Sequence, residues 1–240
     1  MHEEPVIDQP SAVRLIKTIA DAIEAALPEI LARRSDVTWK ADGSPVTAAD
    51  FFVQSLVEDL LSRLAPGTQL ISEEAALPNA LASDALIVLL DPIDGTENFC
   101  SGMTEWGVSV GIWRAGHHLA SMIDLPQRRE RLMTGEHIAP FRSRIIGLAS
   151  TLANGSLELM GQAPQFRVTG CSVFNLYNVI CGRFATFANP AGAHTWDILP
   201  GAMLALEHGC RVMINDAVFA GTWLAPEQKH KIFVSAPNAG

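Results

Sequence analysis

The apolar run Ile87-Val88-Leu89-Leu90 stops at Asp91-Pro92-Ile93-Asp94-Gly95-Thr96, and this junction constrains the fold more than any other stretch of the chain. An unbroken apolar strand is buried on both faces. Whatever follows its C-terminal end therefore sits at the rim where open sheets bind ligands. Pro92 fixes one dihedral and removes a donor, Gly95 permits a positive φ or a close backbone approach, and Thr96 is expected to cap a short helix opening Thr96-Glu97-Asn98-Phe99. Free amides at a helix start favour anions, and Asp91 and Asp94 beside them are hard oxygen ligands suited to a divalent cation that bridges to phosphate. Taken alone, the same residues also describe an ordinary acidic turn.

Further acidic positions recur in similar places. Thr68-Gln69-Leu70-Ile71-Ser72 reads as a strand that stops at Glu73-Glu74, where adjacent like charges repel unless a cation or solvent lies between them. Far downstream, Asp197 in His194-Thr195-Trp196-Asp197 precedes Ile198, Leu199, Ala202, Met203 and Leu206, a helical spacing for which Asp197 alone reads as the N-cap.

With these blocks in view the chain resembles the inositol monophosphatase family of Mg²⁺-dependent, lithium-sensitive phosphomonoesterases. The resemblance rests on Ser72-Glu73-Glu74, on Asp91 to Thr96 with Glu97-Asn98-Phe99, on Trp196-Asp197, and on Lys40-Ala41-Asp42-Gly43-Ser44-Pro45-Val46-Thr47-Ala48-Ala49-Asp50. It implies a layered α-β-α-β-α sandwich. It also implies that Glu73, Asp91, the Ile93 carbonyl, Asp94 and Asp197 hold two or three Mg²⁺ ions, with Gly95 and Thr96 giving amides to phosphate. Glu73 and the Thr96 hydroxyl would act on a metal-activated water, and Asp50 would accept from Thr96. Asp94 and Asp197 would lie by the leaving alcohol, together with the substrate wall at Cys171 and Asn189.

Inositol monophosphate is the leading substrate by resemblance. Fructose bisphosphate, histidinol phosphate and nucleotide 3′,5′-bisphosphates stand as alternatives, and a catalytically silent binding subunit is a different class of role. Retention of Glu73, Thr96 and Asp50 speaks against the silent reading. The chain departs from its relatives where Gly170 is followed by Cys171 rather than serine, and where Phe187 to Ala193 lacks a wall carboxylate that Asn189 would replace. Residues 136–144 lack the relatives' hairpin, and a final helix after Ser235-Ala236 is expected to be missing. Relatives imply a homodimer.

A net charge of −9 argues against general nucleic-acid binding. With no signal-peptide pattern and no apolar run of membrane-spanning length, a cytoplasmic protein is expected. Cys100, Cys171, Cys181 and Cys210 show no paired spacing, so buried thiols are expected, with Cys171 the one to watch for reactivity and more simply a small wall residue. His194 reads as a surface-loop histidine. Gly107-Val108-Ser109-Val110-Gly111 matches the G-x-S-x-G pattern of a hydrolase elbow, yet Trp106, Val108, Val110 and Ile112 alternate as in a strand, which makes Ser109 a sheet residue.

The organisation is α+β. A first helix is expected from Ser11 to Arg33-Arg34, bent at Pro28, and a second is capped by Thr47 with a stripe of Phe51, Phe52, Leu56, Leu60, Leu61 and Leu64. Strands over 68–72, 86–90, 106–113, 118–124 and 130–133 complete an antiparallel-sheet half, residues 1–140, that carries most ligands. An α/β half, residues 141–240, carries Asp197 and the wall. Its expected elements are strands 145–148, 167–169, 185–188, 212–214 and 232–235 and helices 151–160, 172–181 and 197–208.

Overall fold

The computed structural model describes residues 7–78, 80–151, 160–161 and 164–237. Helix α1, Gln9–Ala32, starts where Asp8 accepts from the Ser11 amide, and its buried face is Ala12, Leu15, Ile16, Ile19, Ala20, Ile23 and Ile30. Pro28 lies inside it. Helix α2, Ala48–Leu64, opens with a full capping box between Thr47 and Asp50, which satisfies two otherwise orphaned amides. Its stripe is rotated from the expected one. Val53, Val57, Leu60 and Leu61 are buried, whereas Phe51 and Leu64 are about half exposed, because Ala49 and Val53 supply the face that fits beneath α1. A small hairpin, β1 (Val37–Trp39) with β2 (Pro45–Thr47), leads into α2. It was not apparent from three-residue strands.

The first sheet has the order β3-β4-β5-β6-β7, with β3 Gln69–Ser72, β4 Leu86–Asp94, β5 Gly107–Arg114, β6 His117–Leu125 and β7 Glu130–Met133. Only β3 and β4 run parallel. Strand β4 does not end at Leu90. It continues to Asp94 through a register shift, with Asp91 opposite Ser109 and Asp94 opposite Gly107. The extra residue is a bulge, the device that re-aims side chains at sheet ends, and Pro92 is tolerated there because a bulge forgoes a ladder bond.

The second sheet has the order β12-β11-β13-β10-β8-β9. Its strands are β8 Ile145–Leu148, β9 Gln165–Val168, β10 Thr186–Ala193, β11 Arg211–Ile214, β12 Ala217–Val218 and β13 His230–Ser235. Helices α4, Ser172–Ile180, and α5, Thr195–Glu207, fill the space between the sheets. Both are apolar nearly all round, as a helix buried between two sheets must be. One core joins α1 and α2 to the outer face of the first sheet, and a second joins that sheet's inner face to α4, α5 and the second sheet. Most of the helix expected over 151–160 lies outside the described residues.

Close layer packing explains the G-x-S-x-G match. A Cβ on Gly107 would stand 2.6 Å from Val173, and one on Gly111 would overlap Trp113 and lie 3.2 Å from Pro200. Ser109 lies between them, fully buried in the middle of β5 with its hydroxyl unpartnered. The glycines admit the helix layer, and no elbow is formed.

Candidate active site

Three elements far apart in the chain bring acidic groups together. Glu73 follows β3, Asp91 enters from the bulge of β4, and Asp197 enters from the first turn of α5; one carboxylate oxygen of each lies within 4.8 Å of the others. Two ionised carboxylates at that separation repel by about 3.5 kcal/mol at an effective dielectric near 20. Burial, followed by repulsion from Glu73, Asp197 and Asp94, drives the Asp91 carboxyl well above the ordinary carboxylate range. Burial, followed by Asp94 and Glu73, does the same to Asp197. Asp91 Oδ1 accepts from the Ile93 amide at 3.1 Å, whereas its buried Oδ2 has no partner. An orphaned buried oxygen in an all-oxygen cluster fits a hard divalent cation.

Asp94 takes a different position from the other three. Its Oδ2 accepts from the Val173 amide, at the start of α4, and from Cys171 Sγ at 3.0 Å. Burial raises its pKa to about 6, and the Val173 and Cys171 hydrogen bonds oppose the rise. Cys171 itself is buried, and burial with the neighbouring Asp94 pushes its thiol well above the usual range. It stays a protonated donor, not a reactive nucleophile, and its Sγ also caps α4 by accepting from the Phe174 amide at 3.2 Å.

Two helix starts differ from expectation. Helix α3, Thr96–Cys100, has Gly95 and not Thr96 at the N-cap, with Gly95 at φ 82° and no side-chain cap. Thr96 Oγ1 instead donates to the Ile93 carbonyl at 2.9 Å, with Asp50 Oδ1 farther away at 3.4 Å. One hydroxyl proton serves one of these at a time, and the carbonyl is nearer. Asp50 is buried, its Oδ2 bound by Thr47, and burial lifts its pKa to about 6 against the Thr47 hydrogen bonds. Asp197 is the third residue of α5 and not its N-cap: His194 caps the helix, and Asp197 Oδ2 accepts from the His194 amide at 2.9 Å. His194 is no surface-loop residue either. Its half-buried ring stacks on Trp196, 4.7 Å between centroids and 8° from parallel.

Lys40 and Lys229 were missed as site residues by reading the sequence. Lys40 Nζ lies 2.9 Å from Glu73 Oε1 and 2.7 Å from Glu74 Oε1. This is the cation that the paired glutamates called for. Burial alone would lower the ammonium's pKa, but Glu74 and Glu73 reverse this and raise it. A cavity of about 190 Å³ opens beside Asp94 and Asp197, walled by Cys171, Asn175, Asn189 and Lys229. Asn189 Oδ1 is held by the Gly192 amide at 3.0 Å. In a larger cavity of about 510 Å³ the carboxylates, Glu24 and Asp124, are both paired with Arg131.

Two sheets separated by a helical layer bring acidic groups from strand and helix ends to one place, an arrangement suited to a hard cation acting on a phosphate ester. The family model of the inositol monophosphatase family matches residues 7–139, and the chain belongs to that family. Inositol-1-monophosphatase SuhB of Mycobacterium tuberculosis is 28% identical over 209 residues, covering 75% of this chain and 72% of the relative. The extragenic suppressor protein SuhB of Bartonella henselae superposes with a TM-score of 0.78 at 19% identity, covering 92% of each chain. An IMPase/NADP phosphatase solved with Mg²⁺ and phosphate has a TM-score of 0.78 at 19% identity, covering 96% of this chain and 92% of that one.

Proposed function

We propose that the protein hydrolyses a small phosphate monoester, with inositol monophosphate the first substrate to try, and that Mg²⁺ is held by Glu73, Asp91, the Ile93 carbonyl, Asp94 and Asp197. The observation that carries this reading is the convergence of the Glu73, Asp91 and Asp197 oxygens within 4.8 Å around an unpartnered Asp91 Oδ2. When bound, the cation supplies Lewis acidity and neutralises the phosphate's charge.

The protein's own groups do the rest. In this reading the Glu73 carboxylate and the Thr96 hydroxyl orient the attacking water, and Glu73 accepts its proton. The amides of Gly95 and Thr96, left without a side-chain cap at the start of α3, face the phosphate. As the new P–O bond forms, the ester P–O bond opposite breaks, and the leaving alkoxide takes a proton from solvent water in the cavity lined by Asp94 and Asp197. Asp50 fixes the Thr47 end of α2 and is the second acceptor within reach of Thr96. Cys171 holds Asp94 in place by donating to Oδ2.

The test is phosphate release from a panel of polyol, sugar, amino-alcohol and nucleotide phosphates, with and without Mg²⁺ and Li⁺, paired with melting curves. Mg²⁺ at a hundred times its Kd should stabilise the fold by about 2.7 kcal/mol, and Asp91→Asn should remove most of that gain together with turnover. Stabilisation by Mg²⁺ without release from any substrate would favour a binding subunit instead. No response to Mg²⁺ would end the metal-site reading.

A further inference from the structure

Cys171 reaches Asp94 from a turn that its own strand does little to fix. The turn Thr169-Gly170-Cys171 follows β9, an edge strand of the second sheet whose four residues are all exposed. Two asparagines from different elements grip it instead. Asn98, in the middle of α3, uses both hydrogens of Nδ2: one goes to the Thr169 carbonyl at 2.6 Å and the other to the Glu105 carbonyl at 2.7 Å. Asn175, fully buried in α4, gives its Nδ2 to Thr169 Oγ1 at 2.6 Å and to the Cys171 carbonyl at 2.8 Å. Gly170, at φ 72°, completes the fit, since a Cβ there would stand 3.2 Å from Asn98 Oδ1.

Fold stability alone does not account for this pair. An amide buried in an apolar helix costs free energy unless its polar atoms are matched, and Asn175 Oδ1 has no partner. What the two side chains accomplish is geometrical. Asn98 reaches across 71 residues of chain to join the helix whose first amides are assigned to phosphate to the turn that carries Cys171. Cys171 Sγ in turn lies 3.0 Å from Asp94 Oδ2, and it caps α4, whose Val173 amide is the second donor to that oxygen. Resting on the metal-site reading above, we propose that Asn98 and Asn175 are positioning residues: together they clamp the Thr169–Cys171 turn so that the thiol and the Val173 amide hold Asp94 Oδ2, and the Asp94 carboxylate is thereby set for the cation. Losing the groups that orient a ligating carboxylate typically costs a metal site about 10–100-fold in affinity.

Two measurements on Asn98→Ala and Thr169→Val test this, and neither needs a substrate. Melting curves taken across Mg²⁺ concentrations give the half-saturating Mg²⁺, which should rise by about 10–100-fold in Asn98→Ala. It should move in the same direction in Thr169→Val, which keeps the side chain's shape and loses the acceptor for Asn175. Infrared difference spectra against Cys171→Ala isolate the S–H stretch of Cys171, lowered in the wild type by donation to a carboxylate; in both variants it should move up towards the free-thiol position. Thr169→Val decides alone if Asn98→Ala does not fold. An unchanged half-saturating Mg²⁺ in a folded variant, or a raised one with the S–H band unmoved, would overturn the proposal while leaving the metal-site reading intact. A wild type that does not respond to Mg²⁺ would sink both.

Discussion

Replacing Gly95 by alanine tests how the bulge, the short helix and the middle helical layer are joined. Gly95 adopts φ 82°, ψ 41°, a left-handed conformation that costs an L-residue about 1–2 kcal/mol. The new Cβ would also stand 2.9 Å from Cys171 Cβ and 3.1 Å from the Glu105 carbonyl, closer than carbon atoms pack, and overpacking of this kind costs about 1–3 kcal/mol. The sum is roughly 3 kcal/mol, which for a chain of this size lowers Tm by about 6–12 °C. Urea unfolding of Gly95→Ala, Cys171→Gly and the double variant separates the two causes. Cys171→Gly is itself destabilising, since it removes the cap on Phe174 and the hydrogen bond to Asp94. It also clears the overlap, so the double variant should be more stable than the sum of the singles by about 1–2 kcal/mol. Additivity within about 0.5 kcal/mol would show that the contact with Cys171 carries nothing, and an unperturbed Gly95→Ala would refute the whole account.

Other perturbations follow from single groups. His118 is partly buried, tilted at 57° to the Trp113 ring and 2.7 Å from Ser121 Oγ, and burial lowers its pKa from 6.5 to about 4. The unfolded chain therefore binds a proton that the folded one refuses, so stability falls as pH drops from 6.5 towards 4, by up to about 3 kcal/mol; His118→Asn should flatten the measured slope in this window. Ser109→Ala removes a buried hydroxyl without a partner, so it should be neutral or stabilising by up to about 1 kcal/mol and keep phosphate release; covalent labelling of Ser109 by a serine-directed inhibitor would contradict the sheet role. Lys40→Met leaves Glu73 and Glu74 without their shared cation, so the metal-free protein should lose about 1–2 kcal/mol, with a smaller deficit at saturating Mg²⁺; equal deficits in both conditions would show that Lys40 and the metal do not share these carboxylates.

Legibility in the sequence followed local physics. Leu86 to Leu90, Thr47 as the cap of α2 and the 3.6-residue period of α1 each declare themselves within one element, and they were read correctly; the second half of the capping box, Asp50 accepting from the Thr47 amide, was not. The acidic residues, which taken alone read as a turn and an N-cap, were picked out because Ser72-Glu73-Glu74, Asp91 to Thr96 and Trp196-Asp197 together resemble the family's blocks. What escaped was set by contacts between elements. The β4 bulge depends on Ser109 and Gly107 of the neighbouring strand, so the chain alone suggested a turn after Leu90. Lys40 reaches Glu73 across 33 residues, and no spacing rule links the two. The rotation of the α2 stripe was decided by α1 packing across it, and Lys229 became visible only when β13 was laid beside β10.

The proximity of the carboxylates is itself a packing result. Asp91 belongs to the first sheet and Asp197 to α5, so their separation is set by how closely the middle helices approach that sheet. Gly107 faces Val173 of α4, Gly111 faces Pro200 of α5, and Gly201 of α5 faces Leu176 of α4. Each lacks a Cβ where one would meet a neighbour at 3.2 Å or less, and an interior packed as densely as a crystal has no slack to absorb such an atom. Like-charge repulsion pushes the acidic groups apart, and the apolar burial of α4 and α5 between two sheets opposes it. The approach of Asp91 to Asp197 is therefore set by uncharged residues of the packed layers, while Lys40 steadies Glu73 from outside them, which is why the acids were legible one by one and their geometry was not.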